Sequence, residues 1–190
     1  MRIISGKLKG RRLRAPKNLP VRPTTDMAKE GLFNILNNHY YFDSISVIDL
    51  FSGTGNISYE FASRGSKSIY AIDANYNCIK YITNTSKELE LDINTYKTDV
   101  YKFLETTSLQ ADLIFADPPY DFETEKFLEI VDIVFERNLL KEEGVLIIEH
   151  SKYTDLTTHK SHSYDKRYGG NVFSFFEKTS EKEEEKEEDQ

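Results

Sequence analysis

Ala111-Asp112-Leu113-Ile114-Phe115-Ala116-Asp117-Pro118-Pro119-Tyr120 is the stretch that decides the fold. Its apolar centre, Leu113 to Ala116, is short, bulky and free of polar interruption, which predicts a strand buried on both faces of a parallel sheet. Pro118 and Pro119 end it, because neither has an N–H for a sheet ladder and each fixes φ. Asp117 and Tyr120 are thereby held in a bend at the carboxyl end of a strand, where open α/β sheets bind ligands. The bend is rich in acceptors: a carboxylate and proline carbonyls without amide donors. Beside the flat face of Tyr120, they suit the exocyclic amine of a stacked nucleobase. A plain strand end with a proline turn and a surface tyrosine is the alternative from these residues alone.

Outward from this stretch, strands and helices alternate. Upstream, Ser46–Phe51 is a second buried strand running into Ser52-Gly53-Thr54-Gly55-Asn56 and a helix over Ile57–Arg64 that ends at Gly65. A strand, a glycine-rich turn and a helix open a nucleotide-binding α/β fold. The third glycine of the dinucleotide fingerprint is absent, since Ser58 stands there, and Asp49 before the turn suits a cationic amino acid better than a pyrophosphate. Ser68–Asp73 is a third strand, whose terminal Asp73 either binds a ribose diol or caps a helix over Ala74–Leu89. Asn94–Thr98 is a weak strand, after which Asp99 either caps Val100–Leu104 or reaches an adenine amine. Downstream, a helix over Glu123–Phe135 and a strand at Gly144–Glu149 follow. The sequence then predicts a strand within Tyr153–Tyr164, a turn at Lys166–Asn171 and a last strand at Val172–Phe176. Glu177 onward is a Lys/Glu tail with nothing to bury.

The amino-terminal end differs in character. Residues 2–14 (RIISGKLKGRRLR) predict a small basic hairpin, and Pro16, Pro20 and Pro23 make Ala15–Pro23 an extended connector. A helix follows from Thr24 or Thr25 through Leu36; its start, with Arg22, is a plausible anion site. The chain has 190 residues and a net charge of −7. Residues 1–30, however, hold nine Lys/Arg against two acids, whereas residues 177–190 hold eight acids against three lysines. A basic arm on an acidic body is the polarity expected where one face meets a phosphate backbone. One cysteine, Cys78, argues against a disulfide framework and for a reducing cytoplasm. It reads as a small buried side chain. No apolar run is long enough for a membrane span, no Cys/His cluster has metal-ligand spacing, and the four scattered histidines receive no catalytic role.

Several separated pieces resemble, in order, the class I S-adenosylmethionine-dependent methyltransferases and, more narrowly, the RsmD family. These are Arg2-Ile3-Ile4-Ser5-Gly6 with Gly10-Arg11-Arg12; Arg22-Pro23-Thr24-Thr25-Asp26 leading to Lys29-Glu30-Gly31-Leu32-Phe33-Asn34; Asp49-Leu50-Phe51-Ser52-Gly53-Thr54-Gly55; Ser63-Arg64-Gly65; Asp117-Pro118-Pro119-Tyr120; and Arg167-Tyr168-Gly169. The resemblance implies a Rossmann-like α/β fold: a seven-stranded, mostly parallel sheet with an antiparallel last strand, helices on both faces, and a small amino-terminal basic hairpin. Residues 1–23 would belong to the same domain as the methyltransferase body at 24–178, followed by a disordered acidic tail at 179–190. It also implies methylation of a guanine N2 in 16S ribosomal RNA, within an assembling small subunit, by a cytoplasmic monomer.

By the same resemblance Gly53 and Gly55 would pass under the methionine part of S-adenosylmethionine and Asp49 would hold its amino group. Asp73 would bind the ribose and Asp99 the adenine, with Phe51, Ala74 and Val100 beside them. Asp117, the Pro118 carbonyl and Tyr120 would orient the guanine. Arg2, Lys7, Arg11, Arg12, Arg22, Thr24 and Arg167 would contact RNA. Many relatives carry Glu at position 73; the shorter acid still reaches a diol. Three other readings remain open on the residues: an adenine-N6 methyltransferase, a nicotinamide-dependent oxidoreductase, and a non-catalytic RNA-binding module on this fold.

Overall fold

The computed structural model describes residues 1–16, 19, 24–119 and 121–178. Arg22, Tyr120 and the acidic tail from Thr179, all singled out above, therefore lie outside the described residues. The elements are α1 (Asp26–Leu36), β1 (Ser46–Leu50), α2 (Asn56–Arg64), β2 (Ser68–Asp73), α3 (Tyr76–Glu88), β3 (Ile93–Lys97), α4 (Val100–Thr106), β4 (Ala111–Ala116), α5 (Thr124–Glu136), β5 (Leu140–Ser151), β6 (His162–Tyr168) and β7 (Asn171–Glu177).

The strands form one seven-stranded sheet in the order β3-β2-β1-β4-β5-β7-β6. Pairings from β3 through β5 are parallel, and β7 runs antiparallel to both neighbours. Strand order reverses beside β1, between β2 and β4, and this opens a crevice at the carboxyl tips of the two strands with the clearest apolar runs.

Side chains alternate between two cores, as a pleated sheet requires. Val47, Leu113, Phe115 and Ile147 face a layer containing α1, α2 and α3. Ile48, Leu50, Ile114 and Ile148 face a layer containing α4 and α5. β1 is buried along its whole length, Asp49 included, which is why it reads as an apolar run with one exceptional acid.

The predicted basic hairpin forms. Ile3 N donates to Arg11 O at 2.9 Å and Gly10 N to Ile3 O at 2.8 Å. It docks on α2, where the Glu60 carboxylate accepts from Ile4 N (2.8 Å) and Ser5 N (3.0 Å). Lys7 N reaches Ser63 O at 2.7 Å. Gly6 sits so close that a Cβ there would lie 1.9 Å from Ser63 O, and its φ is +82°. Only glycine allows this approach.

Several boundaries differ from the sequence reading. β5 starts at Leu140, with a register shift between Ala111 and Leu113 of its partner β4, rather than at Gly144. β6 occupies His162–Tyr168, so the turn before the last strand is only Gly169-Gly170, and Lys166 to Tyr168 are strand rather than turn. β6 pairs on one side and is largely exposed, so no apolar run marks it. α3 starts at Tyr76 and its cap is Asn75, whose side chain accepts from Asn77 N and Cys78 N; Asp73 is therefore free of the capping role weighed for it. Lys29, counted with the basic arm, is fully buried. Its ammonium donates to Arg2 O (2.7 Å) and Asn56 Oδ1 (2.8 Å) and pairs with Glu60 (3.3 Å). A buried ammonium is tolerable only when its three donors are met like this. Burial still holds its pKa below the ordinary value, against the pull of Glu60.

Candidate active site

The crevice is a cavity of about 540 Å³, lined by the tips of β1, β2 and β4 and the turns that follow them. That is ample for a nucleoside-sized ligand. The chain turns sharply after β1: Phe51 has φ +56°, Gly53 +53° and Gly55 +81°. A left-handed phenylalanine is uncommon, and such backbone concentrates at ligand sites. Gly55 is the N-cap of α2, and a Cβ there would stand 3.0 Å from Ile82 and Tyr59. It supports the turn from behind and, unlike Gly53, does not line the cavity.

Asp49 is 2% exposed. Its Oδ2 accepts from Ser58 N (3.1 Å) and Ser58 Oγ (2.5 Å). Ser58, the residue in place of the missing third glycine, thus fixes the orientation of this acid. Burial pushes the Asp49 carboxyl up to about 7, partly offset by Ser58, with the charge of Asp73 adding to the rise. Asp73, at the tip of β2, accepts from Gly53 N (2.8 Å) and Asn75 N (2.7 Å), one bond per oxygen. Burial raises its pKa too, against those two bonds. Ala74, Asp99 and Val100 complete this side. Asp99 is both the N-cap of α4, accepting from Lys102 N at 3.1 Å, and part of the cavity wall. Cys78 lines the wall as a small buried side chain whose thiol pKa burial raises to about 11.

Asp117 and Pro118 line the same cavity from the β4 tip. Among the described residues the Asp117 carboxylate makes no side-chain hydrogen bond. Its recessed position, and then the carboxylates of Glu149 and Asp49, push its pKa well above the ordinary range. Phe122 packs edge-on against Phe51, centroids 5.6 Å apart, and closes this side.

The sequence did not point to Glu149, at the end of β5. Its Oε2 accepts from Thr24 Oγ1 at 2.7 Å and its Oε1 from Asn171 Nδ2 at 2.5 Å. Thr24, expected on the RNA-facing arm, is 6% exposed and forms part of the cavity wall. Arg2 pairs with Asp26 at 3.3 Å. Lys7, Arg11, Arg12 and Arg167 are exposed and lie outside the cavity, Arg167 on the edge strand β6. No three His, Cys, Asp or Glu side chains among the described residues come together to hold a metal ion. No helix among them is long and apolar enough to cross a membrane.

Residues 1–177 match the family described as Conserved hypothetical protein 95. The "Putative rRNA methyltransferase YlbH" of Bacillus subtilis is 34% identical over 161 residues, covering 82% of this chain and 85% of that protein. The "Ribosomal RNA small subunit methyltransferase D" of Haemophilus influenzae is 29% identical over 163 residues, covering 83% and 82%. The solved structure "Putative methyltransferase yhhF from Escherichia coli" superposes with a TM-score of 0.81 at 24% identity, covering 94% of this chain and 99% of that one. The chain therefore belongs to the conserved hypothetical protein 95 family and is an RsmD-family methyltransferase.

Proposed function

We propose that this protein transfers a methyl group from S-adenosylmethionine to the exocyclic N2 of a guanine in 16S ribosomal RNA. The observation that carries the reading is that Asp49, Gly53 and Asp73 share one cavity with Asp117 and Pro118. A cofactor half and a base half thus face each other across a space large enough for both reacting ends. The names of the relatives, which include ribosomal RNA small subunit methyltransferases, support ribosomal RNA as the substrate.

The residues fit the cofactor chemically. Asp49 offers a buried carboxylate to an ammonium, and ionises readily once a cation stands beside it. Asp73 is oriented by two backbone donors and keeps further lone pairs for a ribose diol. Phe51, Ala74 and Val100 supply apolar surface, and Asp99 supplies an acceptor for adenine. When bound, the sulfonium compound supplies an electrophilic methyl group.

The rest is the protein's work on the amine. Guanine N2 is a weak nucleophile because its lone pair is delocalised into the ring. Asp117 and the Pro118 carbonyl would accept its N–H bonds, turn the lone pair toward the donor and stabilise the positive charge that grows on nitrogen. Asp117, a carboxylate made more basic by its surroundings, would take the proton that leaves nitrogen after N–C bond formation. The base must be flipped out to enter; Tyr120 is the ring we assign to stacking on it. Arg2, Lys7, Arg11, Arg12, Arg22 and Arg167 would contribute phosphate contacts, and Thr24 would act from the cavity wall. Residues 1–23 work as part of the domain at 24–178, and the protein acts as a cytoplasmic monomer on an assembling small subunit. The test is transfer of labelled methyl from S-adenosylmethionine to small-subunit particles, followed by nucleoside analysis. N2-methylguanosine is expected; N6-methyladenosine, or no transfer, would overturn the reading.

A further inference from the structure

A second concavity, of about 450 Å³, lies between the hairpin and α3. One wall is Arg11, Arg12, Leu13 and Arg14. The other is Tyr81, Asn84, Thr85 and Glu88, which recur at helical spacing and so share one face of α3. Leu13 is buried in the core that α1, α2 and α3 share with the sheet, and this anchors the arginines on either side of it at the mouth. All three arginines are exposed.

Several cations of this region are engaged, while Lys7 reaches only the Glu90 carbonyl, at 3.5 Å, and Lys9 forms no ion pair among the described residues. Arg2 pairs with Asp26, Lys29 with Glu60, and Arg64 with Glu60. Arg11, Arg12 and Arg14 form no ion pair among the described residues. In a chain with 32 acids against 25 Lys/Arg, carboxylate partners are plentiful. Three guanidinium groups left unpaired around one hollow repel one another, and an anion that bridges them removes that repulsion. Arginine forks match phosphate oxygens in pairs. Asn84 adds a neutral donor, and the half-buried ring of Tyr81 adds a flat apolar surface.

The hollow also adjoins the reaction cavity. Cys78 lines that cavity and Tyr81 lines the hollow; three residues apart on one helix, they are separated by about 4.5 Å of rise. Met1, which pairs with Leu13 through its backbone, brings its sulfur to 3.7 Å from Thr54 Oγ1 in the cavity wall. A strand whose base enters the cavity can therefore lay neighbouring phosphates across the hollow.

We propose that the cleft between residues 11–14 and the Tyr81–Glu88 face of α3 is a separate binding site for the RNA backbone. It grips phosphates flanking the target base, so that the arm fixes the register of the substrate while the cavity selects the base. The proposal rests on the ribosomal RNA reading above and deepens it.

The test is binding of the full-length protein to small-subunit particles and to their purified RNA between about 50 and 200 mM salt. Arg12→Glu with Arg14→Glu should weaken binding at least about tenfold and flatten the plot of log K against log[salt] by roughly two phosphate contacts, about 0.7 to 0.9 each. Affinity for S-adenosylhomocysteine serves as the folding control and should be unchanged. Glu88→Lys should do the reverse, tightening binding and steepening the plot, an outcome that misfolding does not produce. Unchanged slopes in either variant overturn the cleft. If the slopes move as expected but the wild-type protein places no methyl on guanine, the cleft stands and the reaction assignment falls. If guanine is methylated while the slopes stay equal, the cleft alone falls.

Discussion

The two halves of the reaction cavity hold their carboxylates in opposite ways. On the β1–β2 side every acid is tied down. Asp49 accepts twice from Ser58, and Asp73 accepts from Gly53 N and Asn75 N. On the β4 side Asp117 has no such bonds among the described residues and stands near two like charges, Glu149 and Asp49. The first arrangement fixes acceptor positions before any ligand arrives, so little reorganisation is needed on binding. The second leaves a carboxylate whose acceptor capacity no described residue uses, which disfavours its charged form until a donor enters. The cofactor side is therefore built as a mould and the base side as a strained acceptor.

The largest way to break this contrast is Asp117→Ala. Turnover should fall by about 10²- to 10³-fold or more, the order lost when one preorganised partner of developing charge is removed. Affinity for S-adenosylhomocysteine should stay near the wild-type value. At high pH, where ionised Asp117 would crowd Glu149 and Asp49, the ligand-free variant should melt no lower than wild type. Loss of cofactor affinity together with turnover would show that the halves are not separable. Next is Asp73→Ala, which takes away the predicted ribose contact and the anchor of Gly53 N. Charge-assisted bonds are worth about 1.5 to 3 kcal/mol each. Calorimetry should therefore give cofactor binding weaker by about ten- to about 150-fold for one such bond, and saturating cofactor should restore much of the rate. A rate that stays low at saturation would place Asp73 in the chemistry instead.

The same contrast explains what the sequence displayed. β1 and β4 are buried on both faces, so each is a largely apolar run holding a single acid, Asp49 or Asp112, and the breaks that follow them, glycine after one and proline after the other, mark the site. β6 carries the opposite signature: an edge strand with alternating exposure, in which the charged stretch Asp165 to Arg167 looks like loop. Ser58 looked like a defect in a glycine pattern, although its hydroxyl and amide orient Asp49. Lys29 looked like one more charge of the arm, because composition does not say which way a helix residue faces. Thr24 and Glu149 meet from 125 residues apart, and such a contact leaves no local pattern to find.

A pH series sharpens the contrast further. The folded Asp49 carboxyl sits near 7, above its ordinary 3.8, and Asp73 and Asp117 are shifted in the same direction. A carboxyl raised by folding gives stability that is fully present below its unfolded pKa and lost as pH rises through the folded one. The ligand-free protein should therefore melt progressively lower as pH rises from about 4 through about 7. Asp49→Asn should reduce that slope. Binding of an ammonium ligand favours ionised Asp49, so S-adenosylhomocysteine should bind several-fold more tightly at about pH 8 than at about pH 6, with proton release at the lower pH. A flat profile in both measurements would mean that Asp49 is ionised throughout, and the mould would then not depend on its ligand.

The smallest effect separates two roles in one residue. Asp99 caps α4 through Lys102 N and also lines the cavity. Asn caps a helix as well as Asp does, whereas Ala forfeits about 1 kcal/mol. Asp99→Asn should thus leave the melting temperature within about a degree, while Asp99→Ala should lower it by about 2 to 4 °C for a chain of this size. Cofactor affinity decides the second role. If the carboxylate holds the adenine amine, both variants bind S-adenosylhomocysteine more weakly, Ala more than Asn, because the Asn amide oxygen still accepts. If capping is the whole role, affinity for Asn matches wild type and only Ala loses stability. Asp99 would then belong to the scaffold of the mould rather than to its surface, and the tied acids that meet the ligand would reduce to Asp49 and Asp73.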